Sequence, residues 1–301
     1  MSTVPAISVA LSVYNGETYI VEAVGSILAQ TFTDFEFIII DDGSTDQSRG
    51  RIEPIAQRDS RIKFISRENR GITASANEQL SLARGRYIAR MDADDVARPD
   101  RFEKQFAYME AHPECVALGS RVLLTDPDGA PLREMPRQLE HDEIDSAHMN
   151  GRAQAFYHSS GLYRASALQQ IGGYRFFNNA GMEDLDVFIR LAEVGKITNL
   201  PEPLTLYRQH MASIGHANMA KQLNAVQSVM EDACKRRGLP PPPTLPPVIT
   251  PPIHQQYAKW AWWALQSGHI KTARKHALRS LKLAPFSPGA WKVTLCALRG
   301  R

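Results

Sequence analysis

From Gln255 to Arg301 the chain contains no Asp or Glu, against nine Lys and Arg. The overall net charge of +3 hides this asymmetry, because the last stretch carries +9 and residues 1–254 carry −6. A mildly acidic body with a strongly basic tail points to a surface that prefers anions, such as lipid headgroups or nucleic acid. Cysteine is scarce too. Cys115, Cys234 and Cys296 are odd in number, far apart and without a CxxC pair. That argues against a disulfide framework or a thiolate zinc site and fits a reducing compartment. No apolar run approaches the ~20 residues that cross a bilayer. The opening MSTVPAISVALSV lacks a basic leader and a cleavage site and runs into a strand, so no signal peptide is expected. Missing as well is any Gly-rich loop after that first strand. Val13-Tyr14-Asn15-Gly16-Glu17 has neither GxGxxG nor a following Lys or Arg, which disfavours a dehydrogenase and a nucleotidyltransferase.

What is present is an ordinary globular composition, 43% hydrophobic and 22% charged over 301 residues. The length allows one large domain, or one of ~250 residues with an appendage. Ile7 to Val13 reads as a strand and Thr18 to Ala29 as a helix with Ile20, Val21, Val24, Ile27 and Leu28 on one face. Phe35 to Ile40 is apolar nearly throughout, as in a strand covered on both faces, and Ser44 is placed to cap the next helix. Arg61 to Ser66 and the run before Asp92 are further strands, with a helix over Ile72 to Ala83. This alternation predicts a doubly wound α/β sheet whose ligands bind at the carboxyl ends of the strands. Beyond Pro99 the pattern gives a helix to His112, a strand over Cys115 to Leu124 and a hairpin turn at Asp126 to Gly129. Residues 138–150 read as helical and 154–163 as extended. Helices are predicted over Glu183 to Val194 and Met219 to Arg237, with an extended segment over Leu204 to His210.

The chain is organised around Gly85 to Asp100, GRYIARMDADDVARPD. Here an apolar strand ends in Asp92, Asp94 and Asp95. Carboxylates at the end of a buried strand are costly unless something positive offsets them. Mg²⁺ or Mn²⁺ does so with oxygen ligands while keeping places for water and phosphate. The alternative is a solvated acidic turn capping the helix from Pro99, with Asp95 or Arg98 near its start.

Taken in order, ISVALSVYNGETYIVEAVGSILAQTFTDFEFIIIDDGSTD and ENRGITASANEQLSLARGRYIARMDADDVARPDR resemble the start of a family 2 glycosyltransferase. The similarity continues more loosely through HSSGLYRAS, GGYRF, AGMEDLDVFIRL and LYRQH, covering about the first 215 residues. It implies the GT-A fold, a Rossmann-like mixed sheet flanked by helices, and inverting transfer from a nucleotide-diphosphate sugar. It also implies roles for individual residues. Ser12, Tyr14 and Asp42 would contact the nucleotide, with the Asp42 carboxylate accepting from the base. Asn69, Gly71 and Asn77 would flank a helix terminus offering N–H groups to phosphate or carboxylate. Asp92 would touch ribose or the metal, Asp94 would ligate Mg²⁺ or Mn²⁺, and His210 would add a metal or phosphate contact. Asp184 would be the general base, supported by Glu183, with Asp186 close enough to confuse the assignment. Ala180-Gly181 would aim these acids, although acids at a helix start are also favoured by the helix dipole. His158 matches an acceptor-side residue, with core packing as the alternative. No QxxRW follows the acidic pair, so transfer of one sugar per binding event is expected rather than processive synthesis.

Residues 1–238 thus form the expected catalytic domain. Residues 239–254 form a linker, with eight prolines between Leu239 and Ile253, and residues 255–301 a basic helical tail. Trp260, Trp262 and Trp263 leave two readings of that tail. One is an interfacial anchor on anionic lipid; the other is a helical unit packing its tryptophans on the catalytic domain or on a second subunit. Nucleic acid is the weakest partner, since no recognition motif accompanies the charge. The expectation is a cytoplasmic enzyme of surface-polysaccharide assembly, peripheral at the inner membrane face, using a UDP-sugar and a glycan or lipid-linked acceptor. A non-catalytic scaffold is the rival; the retained Asp42, Asp92, Asp94 and Asp184 speak against it.

Overall fold

Alternation along the first strand decides how the layers stack. In β1 (Ile7–Val13), Ile7, Val9, Leu11 and Val13 face one side, where they pack on Ile20, Ala23, Val24 and Ile27 of α1 (Ile20–Leu28). The small residues Ser8, Ala10 and Ser12 face the other, leaving room for the helix that spans Ile72–Leu82. The computed structural model describes residues 4–177, 182–211, 219–247 and 251–300. After α1 come β2 (Phe35–Asp41), α2 (Ser48–Ala56), β3 (Ile62–Ser66), α3 (Ile72–Leu82) and β4 (Tyr87–Asp92). All four strands are parallel, in the order β3-β2-β1-β4, so their carboxyl ends form one edge.

The sheet then changes character. The short β5 (Val96–Ala97), α4 (Arg101–Ala111) and β6 (Cys115–Thr125) are followed by β7 (Pro131–Met135) and α5 (His141–Met149). After these come β8 (Leu162–Arg164), α6 (Ala165–Gln170), α7 (Glu183–Ala192), β9 (Lys196–Arg208) and α8 (Met219–Arg236). β8 joins β4 antiparallel and links it to β6, β9 and β5, making one mixed sheet. A second apolar layer, including Ala76, Ile88, Ala117, Tyr163 and Phe188, fills the face opposite α1.

Three local expectations are corrected. Residues 154–163 are not extended; two short 3₁₀ turns, Ala153–Ala155 and His158–Ser160, precede β8. The strand expected from Leu204 begins at Lys196 and runs through Pro201 and Pro203, because its register against β6 shifts around Arg121. Such a bulge accommodates residues that cannot donate to the ladder. Ser44 caps no helix. Its hydroxyl accepts the Asn15 N–H at 2.9 Å, and α2 begins four residues later.

The basic tail is not an appendage. Its helices α9 (Ile253–Gln266), α10 (Ile270–Leu283) and α11 (Pro288–Arg299) share an apolar core with Val122, Leu124 and Leu132 of the β6–β7 hairpin. Trp260 is fully buried there, and Trp263 lies under the Arg133 guanidinium, 4.0 Å from the ring centre. Asp126, in the hairpin turn, accepts from His276 at 2.8 Å and from Lys275. Burial alone would raise the Asp126 carboxyl, but these two donors outweigh it and hold the group well below the usual range. Of the two readings of the tail, packing of its tryptophans on the catalytic body is the one found.

Candidate active site

The carboxyl edge of the parallel strands collects the expected residues. Ser12 and Asp92 are neighbours in register across β1 and β4, and Asp42 directly follows β2. The Ser12 hydroxyl donates to Gln79 Oε1 at 3.2 Å, an oxygen that also accepts from buried Arg90 at 2.8 Å. Asp42 is buried and cradled. Its Oδ1 accepts from Arg70 N–H at 3.0 Å and from the Arg67 guanidinium, while its Oδ2 accepts from Gly71 N–H at 2.8 Å. Gly71 has φ +86, in the left-handed region that glycine favours, and is the residue just before α3. Asn69 lies against Gly43, where a Cβ would meet the Asn69 nitrogen at 2.6 Å. Tyr14 is exposed at the rim. Asn77, by contrast, does not flank the helix terminus. It lies well inside α3, with both amide atoms spent on the Tyr174 backbone at 2.8 and 2.9 Å.

The acidic turn after β4 is not a helix cap, since Asp100 precedes α4 and makes no side-chain cap. Instead β9 returns antiparallel beside β5 and delivers two basic groups to it. His210 Nε2 lies 2.8 Å from Asp94 Oδ2. Arg208 donates its backbone N–H to Asp95 Oδ1 and its Nε to the Asp94 carbonyl, both at 2.9 Å. Burial, reinforced by the charge of Asp94, pushes the Asp92 carboxyl up to about 6. Asp95 is held well above the usual range by burial and then by Asp94 and Asp92, and its buried Oδ2 has no hydrogen-bond partner among the described residues. A surplus of close carboxylate oxygens with one imidazole suits a hard divalent cation in kind. Still, among the described residues no three His, Cys, Asp or Glu are already arranged to hold one.

Glu183 and Asp184 open α7. Asp184 Oδ1 accepts the Leu185 N–H at 2.7 Å. Burial, with the charges of Glu183 and Asp92 added, pushes the Asp184 carboxyl up to about 8; burial raises Glu183 as well, against the pull of Arg90. Asp186 is a different kind of acid. Fully buried, it is clasped by Arg175 and Arg190, and that ion-pair network fixes α7. This removes it from the choice of base. Ala180-Gly181 lie outside the described residues. His158 is buried in packing, its Nε2 3.0 Å from the Tyr174 hydroxyl, and burial drives its pKa well below the ordinary value.

Sequence reasoning missed the cations behind this cleft. Arg90, inside β4, faces the acids, and its charge opposes the rise of both Asp92 and Glu183. Fully buried Arg101 donates to the carbonyls of Arg90 and Gly161 at 3.0 and 3.2 Å, pinning β8 behind β4, and burial lowers it to about 10. One signal was available: an arginine at position 90 stands two residues before Asp92 on the same strand face.

The family model described as Glycosyl transferase family 2 matches residues 8–172. The Bacillus subtilis protein named "Putative glycosyltransferase EpsE" is 33% identical over 246 residues, covering 80% of this chain and 86% of that one. Among solved structures, the Pyrobaculum calidifontis mannosyltransferase PcManGT, in complex with GDP-Man and Mn²⁺, superposes with a TM-score of 0.60 at 18% identity. That match covers 99% of this chain and 81% of PcManGT. S. aureus TarS with UDP-GlcNAc also gives 0.60, at 17% identity, over 97% of this chain and 79% of TarS. At such identities the two structures establish the fold, which is GT-A.

Proposed function

The chain belongs to glycosyltransferase family 2, and from that premise we propose that it transfers one sugar from a nucleotide-diphosphate donor, UDP-linked in the first instance, to a hydroxyl of a glycan or lipid-linked acceptor. The observation that carries this reading is the meeting of two acidic groups, Asp92–Asp95 at the end of β4 and Glu183–Asp184 at the start of α7, around Arg90 at the carboxyl edge of the parallel strands. The acceptor oxygen attacks the anomeric carbon and gives its proton to Asp184. The bond from that carbon to the diphosphate breaks with its electron pair leaving on the diphosphate, so the centre inverts. A carboxylate whose pKa is about 8 is a stronger base than an ordinary Asp and is matched to neutral pH.

Asp42 binds the nucleobase. Among the described residues its Oδ2 takes the Gly71 N–H alone, leaving acceptor capacity for a base N–H. Ser12 and Tyr14 line the same side, and Asn69 and Gly71 shape the loop around the base. Asp92, Asp94 and His210 would hold Mg²⁺ or Mn²⁺, which would offset negative charge building on the leaving diphosphate. Asn77 positions Tyr174, and through it His158, instead of touching the donor. The neighbours' complexes support a nucleotide-sugar donor of either base, and the family resemblance suggests surface-polysaccharide assembly at the cytoplasmic membrane face.

Calorimetric titration with UDP and GDP, with and without Mn²⁺, tests the donor site. Metal-dependent binding of UDP that Asp94→Ala abolishes is expected. Binding of GDP alone would reassign the base, and no binding of either would remove the donor assignment.

A further inference from the structure

With Trp260 and Trp263 turned inward, a different apolar surface is left outside. α11 rests on α9 and α10, which themselves rest on β7, so its outer side faces away from the catalytic body. On that side stand Trp291, Leu295 and Leu298, spaced i, i+4, i+7 and each about half exposed (49%, 47% and 53%). Phe286, in the α10–α11 connection, is 96% exposed. The two helices run side by side. Arg274 donates to the carbonyls of Ala297 and Leu298 at 3.1 and 2.9 Å, and the Thr294 hydroxyl donates to the Ala277 carbonyl at 3.2 Å. This adds the exposed Leu278 and Leu283 of α10 to the same layer. Lys271, Lys282 and Lys292 are exposed around it and enter no salt bridge among the described residues.

We propose that this outer face of α10 and α11 seats the enzyme on an anionic lipid surface. An aromatic and leucine stripe bordered by cations is the composition that lies in the headgroup boundary, with rings at headgroup level and Lys toward lipid phosphate. A second copy is a poor occupant, because it would set two segments of +9, with no acid between them, against each other. Nucleic acid offers phosphate for the cations but nothing for a leucine stripe to enter. The inference does not depend on the donor, and it places the cleft of a membrane-seated enzyme near lipid-linked acceptors.

The test is flotation of the full chain with vesicles of phosphatidylcholine alone, or with roughly one-third phosphatidylglycerol, at ~0.1 M salt. Binding to the anionic vesicles only is expected. It should come with a blue shift of tryptophan emission that Trp291→Phe removes, because Trp291 is the exposed tryptophan among the four. Phe286→Ser with Leu295→Ser should lower partitioning at least ~10-fold. Lys271→Ala and Lys292→Ala should each lower it about fivefold. These positions touch neither cleft nor core, so nucleotide affinity and thermal melting stay as in the parent and separate this result from a failure of the donor reading. Equal binding to both vesicle types would overturn the proposal, as would unchanged partitioning of the variants. So would a solution dimer that Phe286→Ser with Leu295→Ser dissolves, or oligonucleotide binding without vesicle binding.

Discussion

His210 Nε2 and Asp94 Oδ2 stand 2.8 Å apart across 116 residues of sequence. The contact exists because β9 returns antiparallel to β5 and Arg208 clamps the turn between them. If both side chains hold the metal, their loss should be felt only when metal is present. His210→Ala should weaken Mn²⁺-dependent UDP binding by roughly 10-fold to 100-fold and leave metal-free binding unchanged. Calorimetry at matched metal concentrations reads this directly. Equal weakening with and without metal would assign His210 to the nucleotide instead.

The elevated Asp184 carboxyl predicts the shape of the pH profile. A general base works only when ionised, so kcat/KM rises with pH until the group is deprotonated. In the metal-free protein that occurs at about 8. A cation held by neighbouring Asp92 and Asp94 favours the ionised form, so the rising limb should move below 8 as Mn²⁺ is raised. Profiles at two metal concentrations check the direction. A limb that moves upward, or stays fixed, contradicts the pairing of base and metal site.

Away from the cleft, buried His148 should control part of the acid stability. It packs on Phe188 with ring centres 5.3 Å apart, and burial lowers its pKa to about 4 against the opposing charge of Asp145. The unfolded chain takes up this proton near 6.5, so the contribution to stability is complete above that pH and lost as pH falls toward 4. The full loss is about 3 kcal/mol. The raised carboxyls of Asp92 and Asp184 act in the opposite sense as pH falls. The difference between parent and His148→Leu therefore isolates the histidine. Urea unfolding at pH 7 and pH 4.5 should show the variant losing less stability than the parent; an equal loss would count against the assignment.

Much of this was legible before the structure because the first half obeys local rules. FEFIII is buried on both faces as its composition implies, and Asp42, Asp92 and Ser12 fall at or beside strand ends because short apolar runs bounded by polar turns fix where strands stop. The second half resisted for physical reasons. Prolines at 201 and 203 disguise a strand that a register shift permits. The Asp186–Arg190 pair is an i, i+4 spacing on one helix, but nothing local shows that Arg175 closes on Asp186 as well, or that Asn77 is consumed by Tyr174, since those contacts depend on residues brought together only by folding. The tail was the clearest case. Its tryptophans are consistent with lipid or with protein, and only the β6–β7 hairpin decides that Trp260 is core while Trp291 is surface.

The central claim is that this cleft transfers sugar with Asp184 as the base. It is tested most directly by measuring nucleoside-diphosphate release from UDP-sugars with Mn²⁺ for the parent and for Asp184→Asn, with UDP affinity measured on the same samples. Turnover in the variant should fall by roughly 10²–10⁴-fold, while UDP affinity stays within about twofold, because the proposed role of Asp184 is to take the acceptor proton and not to contact the nucleotide. An Asp184→Asn enzyme that retains turnover within about tenfold of the parent, while binding UDP normally, would contradict the account.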